Sequence, residues 1–267
     1  MRLLFSESEP DYNRYRYPYV VWAVPDPGDT PADFFEAGFL PASPAMDCFY
    51  LARHLRLPLS SFKPSSENRR VLRKGDGWTC RVVAREHFDF TDARRQAWLA
   101  YSADRFGEGI LPEHRLNTLM TSPVISHLMV FNDPVEDGRE IGAVLMYLEP
   151  PRVAYYYFAF YDLKYLHQNA GLFMMTLSAQ HFAATGFSNL YLGTCYSERA
   201  LYKTQFPGIQ FFNSFQWSGD LKELKFLVRR DGKKFHALQD PDFQAFHGGL
   251  PTILNQAGCR FFPPGSK

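Results

Sequence analysis

The sequence predicts a mixed α/β protein of the α+β type, in which a mostly antiparallel sheet is flanked by helices. The chain of 267 residues is 46% hydrophobic, enough to bury a large core. Two apolar runs, 140–148 and 152–161, are separated only by Glu149-Pro150-Pro151, which predicts two antiparallel strands. The next segment, 169–185, repeats apolar residues at intervals of three and four, which predicts a helix with one buried face.

Composition narrows the possible classes of protein. The 29 basic and 28 acidic residues give a net charge of +1, which excludes a wholly basic nucleic-acid coat. The longest apolar stretch, 153–161, is about half of the roughly 20 residues that a membrane-crossing helix needs. The first ten residues lack the apolar centre of a secretory signal, so no membrane contact and a cytoplasmic location are expected. Aromatic residues, at 16%, suit either core packing or base stacking.

No metal site is predicted. The four cysteines are too far apart for a Cys-x-x-Cys pair, and no histidine has metal-ligand spacing with a cysteine or another histidine. The cysteines are Cys48, Cys80, Cys195 and Cys259.

The first part of the chain predicts an N-terminal module over residues 1–75. Closely spaced prolines before residue 47 favour short elements and loops. Residues 48–74 carry seven Lys or Arg and only one acidic residue, Glu67, a local charge of +6. Gly75-Asp76-Gly77 then predicts a turn that ends the module.

Residues 76–235 predict a second unit, the core of the protein. Its predicted elements are a helix over 89–105 capped by Thr91 or Asp92, strands 127–131, 140–148 and 152–161, the helix 169–185 ended by Gly186, a strand 190–193, a helix 198–205 and a strand 224–229. Residues 236–267 predict a tail of short elements packed on the core. This order resembles that of the N-acetyltransferase (GNAT) superfamily of acyltransferases, whose fold it implies.

Three motifs, in order, resemble a more specific family. Phe62-x-Pro64 is followed by Arg69-Arg70, then Phe160-Tyr161-Asp162 precedes the predicted helix, and Tyr191-Leu192-Gly193 is followed by Tyr202-Lys203-x-x-Phe206. Together they are similar to the aminoacyl-tRNA-protein transferases, which comprise arginyltransferases and bacterial leucyltransferases. The resemblance covers about residues 34–217. Of the family's cysteine motif only Cys48 remains, and Asn169-Ala170-Gly171 replaces the Ser-Leu-Gly that opens its helix.

The resemblance implies transfer of arginine or leucine from aminoacyl-tRNA to the N-terminal amine of a protein, an N-degron type of modification. The partners would be an aminoacyl-tRNA and a protein or peptide N-terminus, with no cofactor. Such a reaction needs little more than a positioned ester, a neutral amine and a donor to the developing oxyanion. Asp162 is the candidate proton acceptor, with a helix-capping aspartate as the alternative. Lys203 is the candidate partner of the terminal phosphate or the oxyanion.

Further candidate residues fall into two groups. Arg69, Arg70, Arg73 and Lys74 could bind tRNA phosphates, and Tyr202 could stack on the terminal adenine; a solvated basic face and a core tyrosine are the alternatives. The substrate pocket is expected to contain Tyr161, Gly171, Tyr191 and Gly193. Lys203 and Tyr202 lie in a second basic region, 197–234, with eight basic and four acidic residues.

Two other functions stay open. One is an acyl-CoA-dependent N-acyltransferase with acetyl-CoA as donor, since Gln168-Asn-Ala-Gly171 partly imitates a pyrophosphate-binding turn. The large Phe173 two positions after Gly171 counts against it, because a small residue there lets a ligand approach the backbone. The other is a non-catalytic binder of tRNA or protein termini.

Overall fold

The computed structural model describes residues 1–6, 20–136, 138–230 and 241–256. Within these residues the strands form two sheets, one of four strands and one of eight. The small sheet has the order β1-β2-β4-β3, and all its neighbouring strands are antiparallel. Its strands are β1 (Arg2–Ser6), β2 (Val20–Val24), β3 (Phe39–Pro41) and β4 (Phe49–Leu51).

The large sheet has the order β12-β11-β5-β10-β9-β8-β7-β6. Its strands are β5 (His54–Pro58), β6 (Thr79–Ala84), β7 (His127–Asp133), β8 (Arg139–Glu149), β9 (Val153–Tyr161), β10 (Asn189–Thr194), β11 (Gln210–Phe212) and β12 (Trp217–Ser218). Every neighbouring pair is antiparallel except β9 and β10, which are parallel. The predicted fold class, a mixed α/β fold with a mostly antiparallel sheet, is confirmed.

Helices cover both faces of this sheet. They are α1 (Pro31–Glu36), α2 (Ser66–Lys74), α3 (Asp92–Phe106), α4 (Glu113–Thr121), α5 (Ala170–Ala184), α6 (Leu221–Arg230), α7 (Pro241–Phe246) and α8 (Leu250–Gln256). Two 3₁₀ helices, Leu163–Gln168 and Glu198–Thr204, follow β9 and β10. No helix in the described residues has the length and apolar character to span a membrane.

The strands alternate their side chains between two separate cores. On β10, Leu190 and Leu192 belong to the core under α2, α5 and α6, whereas Tyr191 belongs to the core under α1, α3 and α4. We call these the α5-side core and the α3-side core. Tyr161, at the end of β9, packs against both.

Most predicted elements of the core region are present near their predicted bounds. Thr91 caps α3 by accepting a hydrogen bond from the Arg94 amide at 3.3 Å, and Gly186, at φ +81°, follows α5. The helix predicted over 198–205 is a 3₁₀ helix instead of an α-helix.

The strand predicted over 224–229 is wrong, because this segment lies within helix α6. Leu224, Leu227 and Val228 are buried at intervals of three and four. That period belongs to a helix, but a window of six residues is too short to separate it from a strand.

The N-terminal and C-terminal regions both join the large sheet. β5, from the predicted module 1–75, lies between β10 and β11, and α2 packs on α5. In the predicted tail, α7 packs on α6. His247, which directly follows α7, hydrogen-bonds through Nε2 to the buried carboxylate of Glu223 on α6 at 2.9 Å. The rest of the predicted tail, 236–240 and 257–267, lies outside the described residues.

β9 and β10 separate along their length. They pair from Asn189 with Val153 to Tyr191 with Tyr155, and no pairing follows in the described residues. β10 then becomes irregular at Gly193, which has φ +73°, a conformation that glycine adopts without steric cost. Beyond these pairs, 156–161 of β9 and 192–194 of β10 have no backbone pairing with each other in the described residues, and we call this unpaired stretch the β9/β10 gap.

Candidate active site

Lys203 lies beside the β10 edge of the β9/β10 gap. It is carried by the 3₁₀ helix Glu198–Thr204, and its Nζ donates a hydrogen bond to the Thr194 carbonyl at 3.2 Å. A Cβ placed on Gly193 would lie 3.8 Å from the same nitrogen. Burial lowers the pKa of Lys203, an effect partly opposed by Cys195. The ammonium is therefore a stronger acid than that of an exposed lysine.

Four tyrosines lie close to one another, and one of them, Tyr202, directly precedes this lysine in the chain: Tyr101 of α3, Tyr156 and Tyr161 of β9, and Tyr202. The rings of Tyr101 and Tyr161 are 5.0 Å apart. Burial raises the pKa of Tyr101, Tyr156 and Tyr202, so these phenols stay protonated and can donate hydrogen bonds near neutral pH. Tyr202 is still 45% exposed and is the member of the cluster best placed to meet a ligand.

Tyr156 is a residue that the sequence motifs did not single out. Its side chain is buried in the α5-side core, and its Oη has no hydrogen-bond partner among the described residues. A buried hydroxyl without a partner costs about 1–3 kcal/mol. Tyr101 was also missed, because nothing in the pattern of α3 relates it to a strand 60 residues later. The run of three tyrosines at 155–157 was the available signal for Tyr156.

Gly171 lets helix α5 begin against Tyr161. A Cβ at Gly171 would lie 3.2 Å from Cε1 of the Tyr161 ring, tighter than an ordinary contact. The first turn of α5 therefore lies at the end of β9. Phe173, in the same turn, faces inward and packs on Trp78 with ring centroids 4.8 Å apart. Because Phe173 is buried, it does not cover this turn, and the sequence argument against an acyl-CoA donor loses its basis.

Asp162 is engaged on both carboxylate oxygens. Oδ2 accepts a hydrogen bond from Arg139 Nη2 at 2.9 Å, and Oδ1 accepts one from the Lys164 amide at 3.0 Å. The second contact caps the 3₁₀ helix Leu163–Gln168, so the capping role considered from the sequence is present. A catalytic role for Asp162 stays a prediction.

The predicted phosphate-binding residues lie on the exposed side of α2. Arg69 donates to the Pro64 carbonyl at 2.6 Å, and Arg70 forms a two-bond ion pair with Glu67 at 2.6 and 2.7 Å. Arg73 and Lys74 are at the C-terminal end, and both are exposed. This end meets the first turn of α5, since a Cβ at Gly75 would lie 2.6 Å from the Phe173 ring. Arg73 and Lys74 directly precede this contact in the chain.

Tyr191 is not brought into the β9/β10 gap. It is fully buried in the α3-side core, where its ring lies 5.0 Å from Phe35 and 5.7 Å from His54. The alternation of a strand explains this, because Leu190 and Leu192 take the side that faces α5. Of the predicted pocket residues, Tyr161, Gly171 and Gly193 are at the gap and Tyr191 is on the other face.

A cavity of about 410 Å³ lies on the α3 side of β9. We call it the α3 cavity. Trp98, Tyr101, Phe160 and Tyr161 supply its aromatic wall, and Arg94, Glu140 and Asp162 supply its charged groups. Tyr101 and Tyr161 thus belong both to this cavity and to the tyrosine cluster at the gap. A second depression, lined by residues 204–210, Gly219 and Leu221, holds none of the predicted site residues.

Comparison with known proteins gives a limited result. No protein-family model matches the sequence, and no curated protein matches it. Among solved structures, the chain is similar to the C-terminal domain of a protein named as a lysylphosphatidylglycerol synthetase from Agrobacterium fabrum, with 15% identity, a TM-score of 0.43, and coverage of 78% of this chain and 57% of that one.

Two further structures are similar at the same level. FemX has 11% identity and a TM-score of 0.41, with 53% of this chain and 52% of that one covered. L-PGS from Bacillus licheniformis has 13% identity and a TM-score of 0.39, with 68% and 65% covered. The chain therefore spans between half and two thirds of the length of these three structures. Similarity at this level identifies no shared activity, which has to come from the site itself.

Proposed function

We propose that the chain transfers an aminoacyl group from aminoacyl-tRNA to an amine. The motifs further imply that the acceptor is the N-terminal amine of a protein and that the transferred residue is arginine or leucine. The observation that carries this proposal is the β9/β10 gap, where protonated phenols lie at the end of β9 and the desolvated Lys203 bonds to the Thr194 carbonyl of β10. The exposed Arg73 and Lys74 at the neighbouring end of α2 supply positive charge for a phosphate-bearing donor.

The proposed reaction forms one C–N bond and breaks one C–O bond. The neutral amine attacks the ester carbonyl, the carbonyl oxygen becomes an oxyanion, and the ribose hydroxyl leaves with a proton. Lys203, as an ammonium, donates to the oxyanion, which is the kind of charge stabilisation that such reactions need most. Tyr202 can donate a proton to the leaving ribose oxygen and regain one from the attacking nitrogen, which becomes a neutral amide, so no net proton stays on the protein. Asp162 attracts the incoming ammonium, which gives one proton to solvent before the neutral amine attacks.

The second candidate is transfer from an acyl-CoA. The inward position of Phe173 favours it, because the first turn of α5 then has only Gly171 where a pyrophosphate would approach. The same Lys203 and Tyr202 would serve this reaction, with a thiolate as the leaving group.

One experiment separates the two candidates. The purified protein is incubated with radiolabelled arginyl-tRNA or leucyl-tRNA and a panel of short peptides, and in parallel with acetyl-CoA and the same peptides. We expect peptide extension from a charged tRNA, and reduced extension in Lys203→Met. Modification of a peptide with acetyl-CoA but with neither charged tRNA would identify an acyl-CoA as the donor instead. If no donor extends a peptide but the protein still binds tRNA, the chain is a non-catalytic binder of tRNA.

A further inference from the structure

We infer that the α3 cavity holds an apolar side group of the acceptor, so that the acceptor is an amine beside an aromatic or branched aliphatic group. This inference rests on the proposed function, because it names the acceptor of that reaction. It distinguishes the acceptor from a peptide that begins with an acidic residue.

The wall of the α3 cavity is aromatic and rigid. The rings of Trp98 and Phe160 stack in parallel, with centroids 4.6 Å apart and an interplanar angle of 3°. Tyr101 and Tyr161 close a second side, with rings 5.0 Å apart at 63°. At about 410 Å³ the cavity is within the size range of small-ligand sites, which are mostly apolar with a few polar groups.

The charged groups at the α3 cavity are already paired. Its lining includes two carboxylates, Glu140 and Asp162, and one guanidinium, Arg94. Arg94 is committed to Glu140, with Nη2 to Oε2 at 2.8 Å and Nε to Oε2 at 3.2 Å. It is therefore not free to receive a carboxylate of the acceptor. Asp162 is paired in the same way with Arg139, Nη2 to Oδ2 at 2.9 Å. The carboxylate oxygens can still accept hydrogen bonds from an ammonium, whereas an acidic side chain would lose its water without meeting an unpaired cation of the lining.

The position of the α3 cavity assigns it to the acceptor instead of the donor. The cavity wall belongs to the α3-side core, whereas α2 and the first turn of α5 lie on the opposite face of the sheet. A phosphate-bearing donor bound by Arg73 and Lys74 would approach from that opposite face. The two sides meet at Tyr161, which packs against both cores and lines the cavity.

Binding without a donor tests the inference directly. Calorimetric titration of the full chain would use four amides: phenylalaninamide, glycinamide, aspartic acid α-amide and N-acetyl-phenylalaninamide. We expect phenylalaninamide to bind at least tenfold more tightly than any of the other three. Each of those three lacks one feature that the cavity is expected to recognise, the apolar group or the free amine, or adds an acidic group.

A matched pair of variants locates the binding. Ala100 and Ala103 are both exposed alanines on α3, but only Ala100 lines the cavity. Ala100→Phe should fill the cavity and weaken phenylalaninamide binding at least tenfold, while Ala103→Phe should leave it unchanged. Circular dichroism of both variants checks that the fold is kept.

Several results would overturn the inference. Equal affinity for glycinamide and phenylalaninamide would show that the cavity does not select an apolar group. Tight binding of N-acetyl-phenylalaninamide would show that it does not recognise the free amine. Unchanged binding in Ala100→Phe would move the site elsewhere. If binding is selective but no donor supports transfer, the proposed function fails and the cavity assignment stands. If transfer occurs with no preference among acceptors, the cavity assignment alone fails.

Discussion

At the scale of single residues, Lys203 gives the candidate site its pH dependence. Burial lowers the pKa of its ammonium, and its proposed role needs the protonated form. The rate should therefore fall as pH rises through this lowered pKa, below the ordinary lysine value of 10.5. Lys203→Arg should keep activity and move this fall to higher pH, whereas Lys203→Met should lower kcat by roughly 10²–10³.

Single-turnover rates between pH 6 and 10 measure this prediction. Lys63→Met, at an exposed lysine, is the control and should leave the profile unchanged. Identical pH profiles for Lys203→Arg and the unchanged protein would exclude Lys203 as the donor.

His54 makes a second prediction, on stability. Its ring is fully buried against Trp217, neither nitrogen has a partner among the described residues, and burial lowers the pKa from 6.5 to about 3. Below pH 6.5 the unfolded chain binds a proton at His54 that the folded chain does not. The free energy of unfolding should therefore fall by about 1.4 kcal/mol per pH unit from this residue, between pH 6.5 and about 3.

His54→Phe isolates this contribution. The phenyl ring can keep the stacking on Trp217 while it removes both nitrogens, so the variant should be at least as stable at pH 7. Urea unfolding at pH 7, 6, 5 and 4 should show a shallower loss of stability in the variant. Parallel curves for the two proteins would mean that His54 is protonated in the fold or does not titrate.

At the scale of elements, α2 offers a test of phosphate binding. Arg73 and Lys74 are exposed, have no ion pair among those resolved in the described residues, and adjoin the first turn of α5. Replacing both with Gln should weaken tRNA binding and reduce the slope of log K against log salt by about 1–2. Filter binding at 50–200 mM salt measures both quantities.

Arg70→Gln is the matched comparison on the same helix. Because Arg70 is already paired with Glu67, its replacement should change the affinity and the salt slope less than the Arg73 and Lys74 pair does. An equal or larger effect of Arg70→Gln would place the contact in the middle of α2.

The elements also show what local sequence can and cannot predict. The hairpin of β8 and β9 and the helix α5 were predictable, because each has a long apolar pattern of one period and a turn signal at its end. Helix α6 was not, because the six residues 224–229 are too few to show a helical period, which needs the full run 221–230. Tyr191 was assigned to the pocket by its motif, although the alternation within that motif gives it the opposite face to Leu190 and Leu192.

At the scale of the whole molecule, one arginine joins the small sheet region to the large sheet. Arg152, in the turn between β8 and β9, bonds to Asp33 at 2.8 Å and to Glu36 at 2.7 and 3.0 Å, both on α1. These carboxylates raise the pKa of Arg152. Arg152→Met should lower the free energy of unfolding by roughly 1 kcal/mol, since the ion pair is partly exposed.

Thermal unfolding measures this prediction, and limited proteolysis before β5 shows whether the docking of α1 is loosened. Arg70→Met, which breaks an exposed pair within one helix, should change the stability by less. If the two variants lose the same stability, Arg152 does not hold α1 to the large sheet.

The arrangement of distant elements was beyond sequence patterns. Nothing local places β5 between β10 and β11, which follow it by about 130 and 150 residues, because such a pairing depends on long-range packing. The same is true of the α3 cavity, whose wall combines Trp98 of α3 with Phe160 of β9. The motifs predicted part of the gap, Tyr161, Gly171, Gly193 and Lys203, because each is adjacent in sequence to a strand or helix end.

The contact of Tyr161 with both cores has a kinetic consequence. If the two substrates enter from opposite faces of one sheet and meet beside this ring, each can bind while the other is present. Transfer would then pass through a ternary complex, without a covalent enzyme intermediate. Double-reciprocal plots of initial rate at several fixed acceptor concentrations should intersect, whereas parallel lines would indicate that the donor's acyl group is first held by the protein.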